Sequence, residues 1–241
     1  MTLAGKTILV TGAARRVGQY LAISLAEAGA DVIIHHANSP ELASHTVEVI
    51  EQLGRRAWVL AADFSDPQAV EGFIEKANRL SPLFAVVNNA AIFEPLSLSQ
   101  TSLADWQRHL NINLTVPFLL CRDFANSLPE GRQGRIVNVL DWRALRPAGD
   151  HFPYTVSKAA LAAMTQSLAV ALAPRITVNG LALGAILPPS DGGDTSWVKK
   201  QVPAARWARL EEVAESLLFL LDGPDYITGE ILYLDGGRHL I

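Results

Sequence analysis

Residues 7–18 read TILVTGAARRVG, and this stretch decides the fold. A short β-branched run enters a turn at Gly12, and an amphipathic segment follows at once. Gly12 permits a tight turn, Gly18 allows a helix to pack close to a sheet, and the helix start attracts an anion. Ala14 replaces the middle glycine of the standard G-x-G-x-x-G fingerprint. The position of the stretch between a strand and a helix nevertheless predicts a nucleotide-binding α/β domain.

The same alternation of strand and helix patterns continues along the whole chain. Strands are predicted at 7–11, 31–36, 57–63, 84–89, 134–140, 176–183 and 230–235. Helices are predicted at 16–28, 40–53, 67–80, 102–127, 153–173 and 211–221. The strand runs are almost uninterruptedly apolar, as is typical of strands covered on both faces. The order predicts one domain over residues 1–241, with a doubly wound, parallel sheet of seven strands.

One segment departs from this alternation. Residues 184–209, GAILPPSDGGDTSWVKKQVPAARWAR, combine prolines and glycines with Trp197 and Trp207. A long irregular insertion after the carboxyl end of a strand is where a substrate lid would lie. We therefore predict a lid near 184–209, with a plain surface excursion as the alternative.

Composition and charge narrow the class of protein. The formal net charge of −4 gives no reason to expect nucleic-acid binding. The single cysteine, Cys121, cannot form an intrachain disulfide. We find no targeting pattern and no apolar run of roughly 18 residues, so we expect no membrane span and a cytoplasmic location. We single out no metal-binding cluster.

The end of the second predicted strand indicates which nucleotide binds. Enzymes that use NAD usually carry Asp or Glu there to hold the ribose 2′-hydroxyl. This chain reads IIHHANS, with His36, Asn38 and Ser39 and no acid. Arg16 in the preceding glycine turn is well placed to meet a 2′-phosphate, and Ser39 can donate to it. We predict NADPH rather than NADH; solvated arginines at a helix start are the alternative.

Two further strand ends carry candidate cofactor contacts. Asp63 ends the third predicted strand and can accept a hydrogen bond from an adenine amino group, although an Asp here can also cap a turn. The fourth strand ends at Asn89, Ala90 and Ala91, whose small alanines let the chain pass close to a ligand. Ligands of this architecture bind at the carboxyl ends of strands.

The motif YTVSK, residues 154–158, is the most informative about chemistry. Tyr154 and Lys158 stand four positions apart, so on a helix they share one face. A nearby cation favours the phenolate, and we expect it to lower the pKa of Tyr154 from roughly 10. Such a phenol can exchange a proton near neutral pH. Asp141 precedes this tyrosine by thirteen positions.

Together these motifs resemble the short-chain dehydrogenase/reductase family over nearly the whole chain. The matching segments are TGAARRVG, Asp63, NNAA, Asn113 in NINL, YTVSK and LDGG at 234–237. The resemblance implies the following set of cofactor contacts: Gly12, Arg16, Val17, Gly18, His36, Asn38, Ser39, Asp63, Phe64, Asn89, Ala90, Ala91, Tyr154, Lys158, Gly184 and Ile186.

The resemblance also implies the catalytic roles. Tyr154 would exchange the proton, Lys158 would bind the nicotinamide ribose, and Asn113 would hold a water of the proton relay. Pro117 stands four residues after Asn113 in the predicted helix and cannot donate to its carbonyl. We therefore expect that carbonyl to be free to bind water, with an ordinary proline kink as the alternative.

Asp141 departs from the family pattern, which usually has a serine at this position. An ionised carboxylate accepts hydrogen bonds but donates none, so it would repel a ketone oxygen that gains negative charge. Ketone reduction is therefore disfavoured unless Asp141 is protonated, and a substrate rich in N–H donors suits the site better.

One branch of the family, the pteridine reductases, is similar at these points. The likeness rests on Arg16 in TG-x-x-x-R-x-G, on Asp141, and on Phe93 shortly after NNA. It implies that Phe93 stacks a pterin against the nicotinamide while Asp141 and Tyr154 bind its edge and supply the proton. The implied reaction is hydride transfer from NADPH to a C=N bond of a pterin.

Several alternatives stay open. The chain could reduce another small carbonyl or imine compound, or it could be a non-catalytic, nucleotide-binding regulator. Leu183 stands where the family usually has proline before Gly184, and His151 could either join the proton path or be a loop histidine. The resemblance implies a homotetramer joined through 102–127, 153–173 and the chain end, although a monomer would suit the same apolar helices.

Overall fold

The computed structural model describes residues 3–188 and 196–241. Its strands are β1 (Thr7–Val10), β2 (Asp31–His36), β3 (Ala57–Ala61), β4 (Leu83–Asn88), β5 (Gly134–Asp141), β6 (Ile176–Leu183) and β7 (Ile231–Leu234). They form one parallel sheet in the order β3-β2-β1-β4-β5-β6-β7. The predicted doubly wound, seven-stranded α/β fold is confirmed. The strand order reverses between β1 and β4, which is the point where such sheets bind ligands.

Helices cover both faces of the sheet. They are α1 (Arg16–Glu27), α2 (Pro40–Gln52), α3 (Phe73–Leu80), α4 (Leu103–Leu110), α5 (Val116–Ser127), α6 (Phe152–Leu172), α7 (Val198–Gln201) and α8 (Leu210–Asp222). Side chains alternate along β1, so that Ile8 and Val10 face the core under α1, α2 and α8. Leu9 faces the opposite core, under α3 and α5. This two-sided burial explains the nearly continuous apolar strands.

Two helices predicted as continuous are interrupted. The segment 67–80 divides into a 3₁₀ turn, Pro67–Val70, and α3, and Gly72 between them has a φ of 65°. The segment 102–127 divides into α4, a π-helical turn at Asn111–Thr115, and α5. Pro117 lacks the N–H that a regular helix needs there, which accounts for a local change in the hydrogen-bond ladder.

The segment 184–209 is only partly described, since residues 189–195 lie outside the described ranges. Its described part is more regular than predicted, because α7 forms within it. Val198 of this helix and Val202, which directly follows it, are buried against Ala185. Trp197 and Trp207 meet edge to face, with ring centres 5.5 Å apart.

Helix α6 forms one wall of the site described below. Within the described ranges it is the one helix long and apolar enough, by length and composition alone, to cross a membrane. Its buried positions include the polar residues Tyr154, Ser157, Lys158 and Thr165, and it packs against β6 and β5. This is the arrangement of an inner helix in a globular α/β domain.

Candidate active site

The ends of β1 to β4 surround a cavity of about 580 Å³. Most of the predicted cofactor contacts line it: Gly12, Arg16, Val17, Gly18, His36, Asn38, Ser39, Asp63, Phe64, Asn89, Ala90 and Ala91. Tyr154 and Lys158 lie on α6, and Gly184 and Ile186 follow the end of β6. Twelve of the sixteen candidate cofactor contacts therefore line one cavity at the predicted edge of the sheet, and their roles as cofactor contacts stay predictions.

The turn after β1 packs closely against neighbouring backbone because it has no side chain at two points. Gly12 has a φ of 63°, and a Cβ there would lie 3.0 Å from Cα of Ala90. A Cβ on Gly18 would overlap the carbonyl of Gly12. The Asn89 amide donates to the carbonyl oxygen of Thr11 at 2.8 Å, which fixes the turn to the end of β4. A dinucleotide phosphate fits such a compact turn at a helix start.

His35 is a cavity residue that sequence reasoning did not select. Its Nδ1 accepts the Gly12 N–H at 3.1 Å, and its Nε2 donates to the Ala62 carbonyl at 3.0 Å. Its ring stacks on Phe64, with centres 3.8 Å apart. Burial lowers the pKa of His35 to about 4, so the ring is neutral near pH 7. Side-chain alternation along β2, which separates His35 from His36, is the signal that could have found it.

The candidate contacts for a 2′-phosphate lie at the mouth of the cavity. Arg16 is exposed and has a φ of 55°, which is uncommon for a residue other than glycine. Ser39 precedes α2, and its hydroxyl makes no capping bond. Its backbone N–H instead donates to Nδ1 of His36 at 3.2 Å. The donors around this point suit a phosphate group.

Asp63 caps a turn through its side chain, which is the alternative role that the sequence allowed for it. Its Oδ1 accepts the N–H of Ser65 at 2.9 Å. Hydrogen bonds from the backbone and side chain of Ser65 lower the pKa of Asp63, so the group stays ionised near neutral pH. The carboxylate still lines the cavity, where it remains a candidate acceptor.

The end of β5 and the first turn of α6 bring Asp141, Tyr154 and Lys158 together. The phenol of Tyr154 donates to Oδ2 of Asp141 at 3.1 Å. Nζ of Lys158 donates to the Val139 carbonyl at 2.7 Å and lies 5.9 Å from the centre of the Tyr154 ring. Tyr154 and Lys158 are 7% and 2% exposed, so these contacts are shielded from water.

The expected lowering of the Tyr154 pKa is wrong. Burial and the adjacent Asp141 raise the pKa of Tyr154 well above its ordinary value. The carboxylate accepts a hydrogen bond from the phenol and stabilises its neutral form, and the charge of Arg143 opposes this only in part. Burial also lowers the pKa of Lys158 to about 8, although Asp141 opposes this. Tyr154 is therefore a protonated donor in this state of the protein.

Asp141 is also less easily ionised than an exposed aspartate. Burial raises its pKa, while the Arg143 N–H, the charges of Arg143 and Lys158, and the Tyr154 phenol oppose this shift. Its Oδ1 accepts the backbone N–H of Arg143 at 2.9 Å. The ionised carboxylate thus has two hydrogen-bond partners, and a protonated form is more accessible than for Asp in water.

Asn113 is fully buried in the π-helical turn. Its Oδ1 accepts the N–H of Ile92 at 3.0 Å, and its Nδ2 donates to the Ile92 carbonyl at 3.1 Å. The same Nδ2 donates to Oγ of Ser157 at 3.0 Å. The side chain therefore joins the loop after β4 to α6, and a water contact would fall to its backbone carbonyl.

Phe93 and the segment after β6 complete the site. Phe93 is 52% exposed and meets Tyr154 edge to face, with ring centres 4.6 Å apart. A Cβ on Gly184 would lie 2.6 Å from Cα of Asp235, so this glycine is required by the close approach of two chain segments. The Ile186 side chain packs in the core, which leaves its backbone as the group that could contact a cofactor.

This geometry defines a class: an α/β protein with a dinucleotide-binding cavity at the strand ends and a buried, protonated phenol on the neighbouring helix α6. A family model described as enoyl-(acyl carrier protein) reductase matches residues 12–239. The chain belongs to the short-chain dehydrogenase/reductase family.

Individual relatives agree with this assignment. The 3-oxoacyl-(acyl-carrier-protein) reductase FabG of Aquifex aeolicus is 33% identical, covering 98% of both chains. The structure of FolM alternative dihydrofolate reductase 1 from Brucella canis complexed with NADP is 35% identical, with a TM-score of 0.92, and covers 100% of this chain and 97% of that chain. A short-chain dehydrogenase from Burkholderia cenocepacia in complex with NADP is 37% identical, with a TM-score of 0.92 and 99% coverage of each chain. The protein is an NADP-dependent oxidoreductase, and the prediction of NADP(H) as cofactor is confirmed.

Proposed function

We propose that this enzyme reduces a C=N bond of a pterin-type ring. The observation that carries the proposal is the hydrogen bond of 3.1 Å between the Tyr154 phenol and Asp141. It places a carboxylate beside the proton donor, where the family usually has serine. A carboxylate there accepts hydrogen bonds from ring N–H and amino groups, and a serine hydroxyl would donate to a carbonyl.

Each site residue has a distinct role in the proposed reaction. NADPH, when bound, supplies the hydride to the carbon of the C=N bond. Tyr154, whose pKa is raised by burial and by Asp141, is protonated and donates to the nitrogen. Asp141 orients the donor-rich edge of the ring, and the exposed ring of Phe93 offers a stacking face. Lys158 holds the nicotinamide ribose and positions the phenol from the same helix face.

The remaining predicted contacts bind the adenosine end of the cofactor in this proposal. We propose that Arg16, Asn38 and Ser39 bind the 2′-phosphate and that Asp63 accepts from the adenine amino group. The cavity between them supports this orientation. The segment 184–209 would cover the substrate, and the described helix α7 supplies part of that cover.

A second candidate function is the reduction of a small carbonyl compound. Burial raises the pKa of Asp141, which favours a protonated acid that can donate to a carbonyl oxygen as serine would. Such an enzyme would lose ketone reduction as the pH rises and Asp141 ionises, because the carboxylate would then repel the reacting oxygen.

A substrate panel distinguishes the two functions. NADPH oxidation is followed with dihydrobiopterin, with dihydrofolate and with simple ketones, below and above neutral pH. We expect turnover of the pterins and little turnover of ketones. Turnover of ketones alone, strongest at low pH, would instead establish the second candidate.

We propose that the enzyme is a cytoplasmic homotetramer. Three large apolar side chains on α4, α5 and α6 are left open: Leu103 is 70% exposed, Phe118 42% and Val170 84%. Exposed apolar side chains on these three helices support burial against a partner subunit.

A further inference from the structure

His151 covers one face of the proposed substrate-stacking ring. The imidazole and the Phe93 ring are stacked, with centres 3.9 Å apart and planes 7° apart. Tyr154 covers one edge of Phe93. Phe93 stays 52% exposed although His151 stacks on one face and Tyr154 packs against the ring, so a large part of the ring surface is open to a ligand.

A network of charges holds the imidazole in place. Asp150 Oδ2 accepts from Nδ1 of His151 at 3.0 Å and from the Arg143 guanidinium at 3.0 Å. The Arg143 side chain is only 11% exposed. Its guanidinium carbon lies 5.7 Å from the centre of the Phe93 ring and 4.9 Å from that of Trp142. Phe93 is thus supported by both His151 and Arg143.

The backbone of His151 is in the left-handed region, with φ 51° and ψ 47°. Glycine or asparagine adopts this conformation more easily than histidine. The next residue, Phe152, donates its N–H to the Leu96 carbonyl at 2.7 Å, which joins the two loops that carry the stacked rings. An unfavourable backbone conformation that is held by its surroundings points to a role for the side chain.

We propose that His151 is a positioning residue for flat heteroaromatic substrates. Its imidazole stacks on one face of the Phe93 ring and holds the ring in place, so that the exposed part of the ring can bind the substrate. This inference rests on the proposed pterin reduction and adds a residue to it. In the described residues the Tyr154 hydroxyl makes its hydrogen bond to Asp141 and none to His151, so we assign His151 a positioning role and not one in proton transfer.

Two substitutions separate the ring from the other properties of His151. His151→Asn suits the left-handed backbone and can still donate to Asp150, but it has no ring. His151→Phe keeps a ring and loses the hydrogen bond. We expect the Asn variant to raise the KM for dihydrobiopterin by roughly two- to tenfold, the range of one aromatic contact. We expect the Phe variant to stay within about twofold of the wild type, with kcat and the NADPH Kd unchanged in both.

His151→Gly tests whether the role is merely structural. Glycine relieves the left-handed backbone, so its Tm should not fall below that of the wild type. We expect its KM to rise as in the Asn variant. If KM rises in all three variants, including His151→Phe, and Tm falls in each of them, the effect is one of stability and a ring-specific role is contradicted.

The outcomes for the two proposals are distinct. If the wild type does not turn over pterins, the proposed function is wrong and this inference falls with it. If the wild type turns them over and the Asn and Gly variants have its KM, the function stands and the role of His151 is wrong.

Discussion

At the scale of single residues, the site is governed by the contact between Asp141 and Tyr154. Their side chains approach because β5 ends beside the first turn of α6. Burial of both groups favours protonation, and the carboxylate keeps the phenol neutral. In the proposed reaction the phenol serves as a general acid, without the low pKa that the Tyr154–Lys158 spacing alone suggested.

Replacing Tyr154 with Phe tests the proton donor. The change removes one hydroxyl, and a positioned general acid contributes roughly 10²–10⁴-fold to a rate. We expect kcat for the preferred substrate to fall within that range while NADPH binding stays close to wild type. Steady-state kinetics and a fluorescence titration with NADPH measure the two effects. A variant that retains most of its kcat would exclude Tyr154 as the donor.

The lowered pKa of Lys158 predicts that cofactor binding depends on pH. Burial lowers its pKa to about 8, so the ammonium that holds the ribose is lost as the pH rises through that value. We expect the NADPH Kd to increase above pH 8. Lys158→Arg is the matched control, since its charge does not titrate in this range. An equally steep change in the Arg variant would assign the titration to another group.

The same shift has a consequence for stability. The pKa of Lys158 is lowered on folding from 10.5 to about 8, so between these values the unfolded chain binds more protons than the folded one. The contribution of Lys158 to the free energy of unfolding is therefore present above the unfolded pKa and is lost as the pH falls to 8.

At the scale of elements, the π-helical turn between α4 and α5 links helix α6 to the loop that follows β4. Asn113 makes its three side-chain hydrogen bonds from this turn, two to Ile92 and one to Ser157. Phe93 directly follows Ile92. The orientation of the proposed stacking ring therefore depends on a side chain in a different element.

Asn113→Ala should damage stability and substrate binding together. Leaving buried partners unsatisfied costs roughly 1–3 kcal/mol, so we expect a lower free energy of unfolding by about that amount. We also expect a higher KM, because the loop that carries Phe93 is released. Urea denaturation and steady-state kinetics measure both. Surface substitution Gln107→Ala on α4 is the control, and an Asn113→Ala variant equal to it would contradict this linkage.

The elements also show what the sequence could predict. The strands lie within one or two residues of their predicted bounds, because apolar runs buried on both faces are local signals. The interruption at Asn111–Thr115 was missed, since a single π-helical turn is too short to be recognised in the apolar pattern of the whole segment. The raised pKa of Tyr154 was missed because it depends on packing between β5 and α6, which spacing along the chain does not give.

At the scale of the whole molecule, the sheet sets two regions side by side. The ends of β1 to β4 surround the nucleotide cavity, and β5, α6 and the loop after β4 form the reacting site. The locations of both regions could be predicted from the sequence, because the carboxyl ends of parallel strands lie at one edge of the sheet. The support of Phe93 by His151 and Arg143 was not, because it requires contact between two loops.

The open apolar face predicts the state of assembly. Val170 on α6 is 84% exposed, and we expect a partner subunit to cover it. Val170→Asp should shift the protein from tetramer to smaller species, because burying an unpaired charge is unfavourable. Light scattering after size-exclusion chromatography measures the mass. Ser44→Asp on α2, which is exposed and lies outside the proposed interface segments, is the matched charge control and should leave the mass unchanged. A monomeric wild type would contradict the proposed tetramer.

We propose that a carboxylate beside the phenol selects donor-rich nitrogen rings over simple ketones. The most direct measurement is the ratio of kcat/KM for dihydrobiopterin to kcat/KM for a small ketone, in the wild type and in Asp141→Ser. A hydrogen bond to a charged group contributes roughly 1.5–3 kcal/mol, so we predict that the ratio falls by about 10- to 100-fold in the variant. A ratio that does not change, or a wild type that prefers the ketone, would contradict the claim.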